Sequence, residues 1–327
     1  MIIVTGSLGF DYIMDFPGRF SDRIMPDKIH AISLSFLVDD LKKQWGGTAG
    51  NISYSLGLLG IKPLLLATAG NDFAPYKKYL EQHGVDTSQV KEFKNIATGS
   101  YFVITDKADN QIGAFYTGAM RHATKVSLKD CLFGKKGKKT VFFEDFVVIA
   151  ANDPTAMRNY VDECIALNIP FMYDPAFQID TFTGDDLKKA VTHAQILIGN
   201  DYEIELIAKK LGISKNKLLT MTPIVITTLG EKGATIECQV TNDKFQIFKI
   251  KPAKAKKVVD PTGAGDCFRS GFLAGYLRGL DLQTCGQMGA LAAVYTVEAY
   301  GTTTHTFTKK EFIKRYRENY QMPLTIQ

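Results

Sequence analysis

The sequence lacks the patterns that mark metal-binding, secreted or membrane proteins. Its 327 residues contain only five cysteines, which form no C-x-x-C pair and show no histidine spacing suited to zinc. These cysteines are expected to be reduced thiols of an intracellular protein. The N-terminal MIIVTGSLGFD has no basic region followed by a long apolar run, and no stretch approaches the length of a membrane span. We therefore expect a cytoplasmic protein with no membrane partner.

Two familiar phosphate-binding motifs are also missing. In the dinucleotide-binding pattern G-x-G-x-x-G, the position after Gly263 and Gly265 that requires glycine is Phe268. The Walker pattern fails because Lys138, and not glycine, precedes the pair Lys139 and Thr140. No D-x-D accompanies an apolar strand, which argues against an aspartyl-phosphate hydrolase. If the chain binds phosphate, it does so through a motif other than these two.

A strong excess of one charge is absent. Lysine and arginine exceed aspartate and glutamate by 39 − 34 = +5, and the excess is dispersed except for lysine-rich runs at residues 135–139 and 251–257. These runs are typical of solvated loops, so no nucleic-acid partner is expected. The second run precedes a glycine turn and could attract a nucleotide electrostatically. The 45% apolar and 22% charged content is that of an ordinary globular chain with a large core.

Short apolar runs and helical stretches alternate along much of the chain. The runs end in small or polar residues, as buried parallel strands do, and lie at residues 2–5, 64–68, 146–150, 171–173, 196–198 and 224–226. Helical periodicity fills the later intervals, at residues 155–167, 187–194 and 202–211. This alternation predicts an α/β fold with a central, mostly parallel sheet flanked by helices.

Two regions break this alternation. Residues 12–45 include the β-rich SLSFLV, and residues 96–117 include GSYFVIT and QIGAFYT, with Asp109 and Asn110 at a predicted hairpin turn between them. We predict a small separate β-sheet; extra edge strands on the main sheet are the alternative. The predicted large domain comprises residues 1–11, 46–95 and 121–327, and the small β element comprises residues 12–45 and 96–120.

The stretch VVDPTGAGDCF, residues 258–268, indicates a glycine turn that opens a helix. Such a turn leaves the first N–H groups of the helix unpaired, and with the positive end of the helix dipole they form an anion site. A second carboxylate, Asp266, lies beside that site. It is either a helix-capping residue or a catalytic base, and the turn alone does not separate the two.

DPTGAGDCF, followed by a glycine-punctuated helix, resembles the C-terminal signature of the PfkB or ribokinase-like carbohydrate kinases, a family that includes adenosine kinases. The stretch GGTAGN, residues 46–51, resembles the N-terminal signature. The resemblance covers nearly the whole chain. It implies a ribokinase-like fold, in which the small sheet is a lid, and transfer of the ATP γ-phosphoryl group to a hydroxyl.

The resemblance also implies roles for individual residues. Asp266 would be the general base, with Gly263, Ala264 and Gly265 at the phosphoryl group. The residues that match sugar-hydroxyl positions are Asp11, Gly46, Gly47 and Asn51. Those that match nucleotide positions are Asn200, Glu203, Thr228, Gly230, Gly233 and, on the helix packed against adenine, Ala293. Glu203 would act on Mg²⁺ through water, and Asp260 with Thr262 resembles a monovalent-cation site, which makes K⁺ a second candidate ion.

The acceptor is the least specific part of the resemblance. Sugar kinases of this family have polar groups where this chain has Gly9 and Met120. Aromatic and apolar residues concentrate in or near the small sheet instead: Phe10, Tyr12, Phe36, Phe102, Phe115, Tyr116 and Met120. They offer an apolar slot in which a purine could stack; the alternative is that they form the small core of this sheet, and we expect this for half of them. We therefore predict a purine nucleoside, adenosine first, phosphorylated at the 5′-hydroxyl to give AMP and ADP. A ribokinase- or fructokinase-type sugar kinase and a catalytically silent sensor are the alternatives. Monomer and homodimer are both compatible with the sequence.

Overall fold

The structure, a computed structural model, describes residues 1–31, 33–108, 110–133, 145–241 and 244–326. The lysine run at 135–139 and Asp109 of the predicted turn lie outside these residues. The strands are β1 Ile2–Thr5, β2 Gly9–Asp15, β3 Asp40–Gly46, β4 Leu64–Leu66, β5 Thr68–Gly70, β6 Lys91–Phe93, β7 Gly99–Thr105, β8 Gln111–Tyr116, β9 Phe146–Ile149, β10 Phe171–Tyr173, β11 Ile196–Asn200, β12 Ile224–Thr228, β13 Ala234–Thr241 and β14 Lys244–Ile250. The helices are α1 Thr48–Leu58, α2 Ala74–Gln82, α3 Leu128–Phe133, α4 Pro154–Leu167, α5 Gly184–His193, α6 Asp201–Lys210, α7 Lys215–Leu219, α8 Ala264–Tyr276, α9 Leu282–Val297 and α10 Lys309–Tyr320.

An eight-stranded sheet forms the centre of the molecule, in the order β14-β13-β12-β11-β10-β9-β1-β4. All neighbouring strands are parallel except β12 with β13 and β13 with β14. Successive residues of one strand point to opposite faces, so Val4 packs into the core shared with α1, α8, α9 and α10, and Ile3 into that shared with α4, α5 and α6. The predicted α/β fold is confirmed, although the predicted run 64–68 is divided between β4 and β5.

A separate four-stranded sheet has the order β3-β2-β7-β8. Its strands pair with one another, so the alternative of extra edge strands on the main sheet is wrong. The expectation that SLSFLV, residues 33–38, contributes β-structure is also wrong, because this segment is irregular. Phe36 packs edge-on against Phe16 and Phe20, with ring centroids 5.0 and 5.1 Å away, and this aromatic cluster holds the segment without strand pairing.

Helices α8 and α9 pack in close contact because glycines lie where they meet. A Cβ atom on Gly271 would lie 2.4 Å from the Met288 carbonyl oxygen, and one on Gly289 would lie 2.9 Å from that of Phe268. The close approach fixes the first turn of α8 beside the middle of α9. In the described ranges, no helix has the combination of length and apolar content needed to cross a bilayer.

Candidate active site

The first turn of α8 begins at a glycine in the left-handed conformation. Gly263 is the N-cap residue, with φ of 78° and no side chain to cap the helix. Ala264, Gly265 and Asp266 follow as the first three helical residues. The Ala264 N–H donates to the Pro261 carbonyl oxygen at 3.1 Å, and the N–H groups of Gly265 and Asp266 accordingly remain as the open donors of this first turn among the described residues. Asp266 is therefore not the N-cap, and the turn keeps the backbone geometry of an anion site.

The Asp266 carboxylate faces helix α1. Its Oδ2 atom accepts a hydrogen bond from Asn51 Nδ2 at 2.8 Å. Burial raises the pKa of Asp266 to about 6, and the nearby Arg269 guanidinium and the Asn51 hydrogen bond oppose that rise. Asn51 Oδ1 is buried and accepts no hydrogen bond from the described residues. A second acceptor is thus held beside the carboxylate.

Asp11, on β2, is the other carboxylate of this cleft. Burial, followed by the negative charge of Asp260, raises its pKa to about 6. Gly46 makes room for it, because a Cβ atom there would lie 2.6 Å from Asp11 Oδ2. Gly47 has φ of 88°, and a Cβ atom would lie 2.6 Å from the Ser7 carbonyl oxygen. The glycine pair thus lets β3 turn into α1 directly against the Asp11 side chain.

A buried ion pair lies beneath the glycine turn. Arg269 Nη2 donates to Asp174 Oδ1 at 2.6 Å, and Nε faces the other carboxylate oxygen. Asp174 directly follows β10, and both side chains are buried. A Cβ atom on Gly265 would lie 2.9 Å from Arg269 Nη1, so the guanidinium touches the underside of the turn. The guanidinium end of this ion pair is therefore the part in contact with the turn, and Asp174 partly offsets its charge.

A cavity of about 430 Å³ opens beside the same turn. Four of the residues predicted for the nucleotide line it, namely Thr228, Gly230, Gly233 and Ala293, and so do Ala264 and Gly265, which were predicted at the phosphoryl group. Its other walls are mostly small or apolar and include Pro252, Ala253, Ala255, Val258, Phe268, Ala290, Val294 and Val297. An apolar slot that ends at a helix N-terminus suits a flat heterocycle joined to an anionic group.

Asn200 and Glu203 form a reciprocal cap at the start of α6. Asn200 Oδ1 accepts from the Glu203 N–H, and Glu203 Oε2 accepts from the Asn200 N–H, both at 2.8 Å. Burial raises the pKa of Glu203, an effect that the charge of Arg269 opposes. The part of the chain that the structure describes holds no cluster of three or more histidine, cysteine or acidic residues. A single carboxylate suits Mg²⁺ that arrives with a nucleotide and keeps its water shell.

Asp260 and Thr262 form a turn before the helix. Asp260 Oδ1 accepts from the Thr262 N–H at 2.9 Å, and Oδ2 accepts from the Gly301 N–H at 3.0 Å. The carboxylate thus joins the turn to the loop after α9, which is the structural role of a turn residue. The monovalent-cation site stays a prediction.

The two faces of the small sheet carry different aromatic side chains. Cross-strand partners share a face, and the register pairs Asp11 with Tyr101 and Tyr101 with Phe115. Tyr12 and Phe102 lie on the other face, where their rings stack at 4.7 Å. The aromatic residues of the small sheet are therefore divided between its two faces, in keeping with the expectation that half of them do not line a slot. Among the aromatic residues of the described strands, Tyr101 and Phe115 share the Asp11 face.

The other aromatic and apolar residues of this set pack elsewhere. Phe10 belongs to the core of the large sheet, Phe36 to the cluster with Phe16 and Phe20, and Met120 is buried in the short helix Gly118–Lys125. Tyr116 follows Phe115 on β8 and so lies on the opposite face.

Comparison with known proteins identifies the family. The family model described as pfkB family carbohydrate kinase matches residues 14–309. The chain belongs to the pfkB family. It is therefore a phosphotransferase that acts on an alcohol group and uses ATP, and its ribokinase-like fold agrees with the architecture described above.

Several pfkB relatives match over nearly their whole length. The nucleoside kinase of Methanothermobacter thermautotrophicus is 30% identical over 96% of this chain and 95% of its own. A Burkholderia thailandensis nucleoside kinase, solved with inosine, is 30% identical with a TM-score of 0.83 and 99% coverage of both chains; it has also been solved with ADP and inosine. The nucleoside kinase of Methanocaldococcus jannaschii, an archaeal member of the ribokinase family, is 28% identical, with a TM-score of 0.83 and coverage of 97% and 98%.

Sequence reasoning missed Arg269 and Tyr101 in this pfkB chain. Arg269 left a faint signal, because it is the one charged residue in the run 267–275 of α8, which otherwise consists of apolar and small residues. Its partner Asp174 is 95 residues away, so no local spacing links them. Tyr101 could be assigned to the site face only from the strand register.

Proposed function

We propose that this chain is a nucleoside kinase that transfers the γ-phosphoryl group of ATP to the 5′-hydroxyl of a purine nucleoside, with adenosine as the first candidate and inosine as the second. The observation that carries the proposal is the meeting of Asp266, Asn51 and Asp11 at a helix N-terminus that borders an apolar cavity. The three nucleoside kinases that match over nearly the whole chain support the acceptor class, and the inosine complex of one of them supports a purine.

The nucleoside would bind between the small sheet and α1. Asp11 can accept both vicinal ribose hydroxyls, and charge-assisted bonds of this kind are about twice as strong as neutral ones. Asn51 Oδ1, a buried acceptor without a donor among the described residues, can take a further hydroxyl. Phe115 and Tyr101 share the Asp11 face and are exposed, so they can stack on the base. In this arrangement the small sheet acts as a lid over the acceptor.

ATP would occupy the cavity beside α8. Adenine fits against Ala293 and the other apolar walls, and the phosphates run towards the N–H groups of Gly265 and Asp266, because the Ala264 N–H is bonded to the Pro261 carbonyl oxygen. The Arg269 charge beneath Gly265 favours anions at this point. Mg²⁺ would neutralise phosphate charge when it is bound with ATP, and Glu203 is the residue that would hold it through water.

Asp266 would act as the general base. As the bond between the 5′-oxygen and the γ-phosphorus forms and the bond to the ADP oxygen breaks, the hydroxyl proton passes to Asp266. Its pKa of about 6 leaves the carboxylate mostly ionised at pH 7.5, yet more basic than an ordinary aspartate. The Asn51 hydrogen bond holds the carboxylate in place while the backbone N–H groups receive the phosphoryl charge.

Substitution of the base tests the mechanism. We expect Asp266→Asn to lower kcat by about 10² to 10⁴-fold, because the proton loses its acceptor, while the Kd for ATP changes little. The matched control is Asp162→Asn, an exposed carboxylate on α4 that pairs with Lys189. Near-normal turnover in Asp266→Asn would exclude the residue as the base.

A substrate panel tests the acceptor. ADP release from MgATP is measured with adenosine, inosine, guanosine, ribose and fructose, with and without K⁺. Turnover with a purine nucleoside is the expected outcome. The family model describes carbohydrate kinases, so a sugar acceptor is the alternative to a nucleoside, and turnover with ribose or fructose alone would establish it. No ADP release with any of the five compounds would favour a catalytically silent sensor.

A further inference from the structure

The wall of the cavity that faces α9 is an irregular segment. Residues 251–258 lie between β14 and the glycine turn of α8, and they form neither helix nor strand. Four of them, Pro252, Ala253, Ala255 and Val258, line the cavity. Because the segment has no internal hydrogen-bond ladder, its shape depends on contacts from other elements.

These contacts come from α10 and from the end of α9. Arg315 Nη2 donates to the Lys254 carbonyl oxygen at 3.0 Å, and Asn319 Oδ1 accepts from the Lys254 N–H at 2.7 Å. Glu298 Oε1 accepts from the Lys256 N–H. The backbone of the segment is therefore fixed at the N–H and the carbonyl oxygen of Lys254 and at the N–H of Lys256.

The guanidinium that links these contacts is rigidly held. Arg315 pairs with both carboxylate oxygens of Glu298, with Nη1 to Oε2 at 2.8 Å, and its Cζ lies 4.6 Å from the centre of the Tyr295 ring. Arg315 is buried, and Glu298 is largely shielded. A lysine cannot reproduce a bidentate pair, a ring contact and a third hydrogen bond at once.

We propose that Arg315, Asn319 and Glu298 form a clamp that sets the shape of the nucleotide cavity and thereby the affinity for ATP. They are positioning residues, because they touch the backbone of the wall and not the cavity itself. The inference rests on the proposed function only in taking ATP as the occupant of this cavity.

Two substitutions test the clamp. Arg315→Lys keeps the positive charge but loses the bidentate pairing with Glu298. Asn319→Ala is the milder change and removes one hydrogen bond to Lys254. We expect both to raise the KM for ATP and the Kd for ADP, by roughly 2- to 30-fold, with the KM for the nucleoside and kcat nearly unchanged. The control is Arg317→Lys, an exposed position on the same helix, which should change none of these constants.

The readouts separate a positioning role from a merely structural one. ADP binding is measured by calorimetry without any acceptor, so it remains readable even if no nucleoside is phosphorylated. A lower thermal midpoint with unchanged ADP affinity in Asn319→Ala would overturn the clamp, as would an equal loss in both KM values. If Arg315→Lys fails to fold, Asn319→Ala alone decides.

Discussion

Asp11 and Asp266 both sit where ionisation is unfavourable. Burial is the main cause in each case, and it raises both pKa values to about 6. At neutral pH the two carboxylates are nevertheless mostly charged, at some expense of folding stability. Such a cost is common at reacting centres. Burial raises the pKa of a carboxylate, which makes it a better base and also makes its charged form less stable in the fold.

This cost gives a test through stability. The folded pKa of Asp266 lies above the usual 3.8, so the folded protein binds a proton more readily than the unfolded chain, and the penalty is full above about pH 6 and disappears below about pH 4. We expect Asp266→Asn to raise the free energy of unfolding by about 1 to 3 kcal/mol at pH 8, with a much smaller gain at pH 4. Denaturant unfolding at both pH values measures the free energy of unfolding. If Asp266→Asn were less stable than the unsubstituted protein at pH 8, burial of a charged Asp266 would not be a cost.

The motif residues at this scale could be predicted because their signals are local. Asp266 follows its own glycine turn, and Asn51 follows the glycine pair, so each motif can be recognised in a few residues. Their 2.8 Å hydrogen bond joins positions 215 residues apart. The pairing of Arg269 with Asp174 has no comparable signal, since only the fold brings a strand end beneath a helix start.

At the scale of elements, the strands and helices of the large sheet were predictable from alternation of apolar runs. The small sheet was harder, because aromatic residues occur on both of its faces and a shift of one residue in register exchanges the faces. SLSFLV has the composition of a strand, but Phe36 packs with Phe16 and Phe20 and leaves the backbone irregular. Composition thus predicted that a small sheet exists. The strand register, which composition does not contain, determines which of its residues face the site.

The two faces can be tested against each other. We expect Phe115→Ala to raise the KM for the nucleoside roughly 5- to 100-fold, the equivalent of one lost base–aromatic stack. Phe102→Ala removes the same type of side chain from the opposite face and should leave that KM within about twofold. Steady-state kinetics at saturating ATP measures both. Equal effects of the two substitutions would contradict the face assignment.

For the molecule as a whole, the net charge is small but unevenly placed. Lys254, Lys256 and Lys257 are exposed on the segment that forms one wall of the cavity. We expect these lysines to give an approaching anionic nucleotide a local positive field, which salt would screen. From the sequence, the run 251–257 could attract a nucleotide. In the structure, the segment that carries this run forms part of the cavity wall.

Ionic strength tests this field. We expect kcat/KM for ATP to fall roughly threefold or more between 50 and 300 mM salt, and the fall to shrink in Lys254→Gln/Lys257→Gln. The control is Lys78→Gln, an exposed lysine on α2. A salt effect of equal size in the double variant and in the control would mean that the field does not arise from this run.

The ion pair of Arg269 and Asp174 also bears on how this chain can evolve. Loss of either partner leaves a buried charge uncompensated, at a cost of about 3 to 5 kcal/mol, whereas replacement of both by apolar residues is often neutral. Single substitutions at either position are therefore poor intermediates, and lineages are expected to keep both residues or to lose both. We therefore expect the two positions to change together, although 95 residues separate them in the chain.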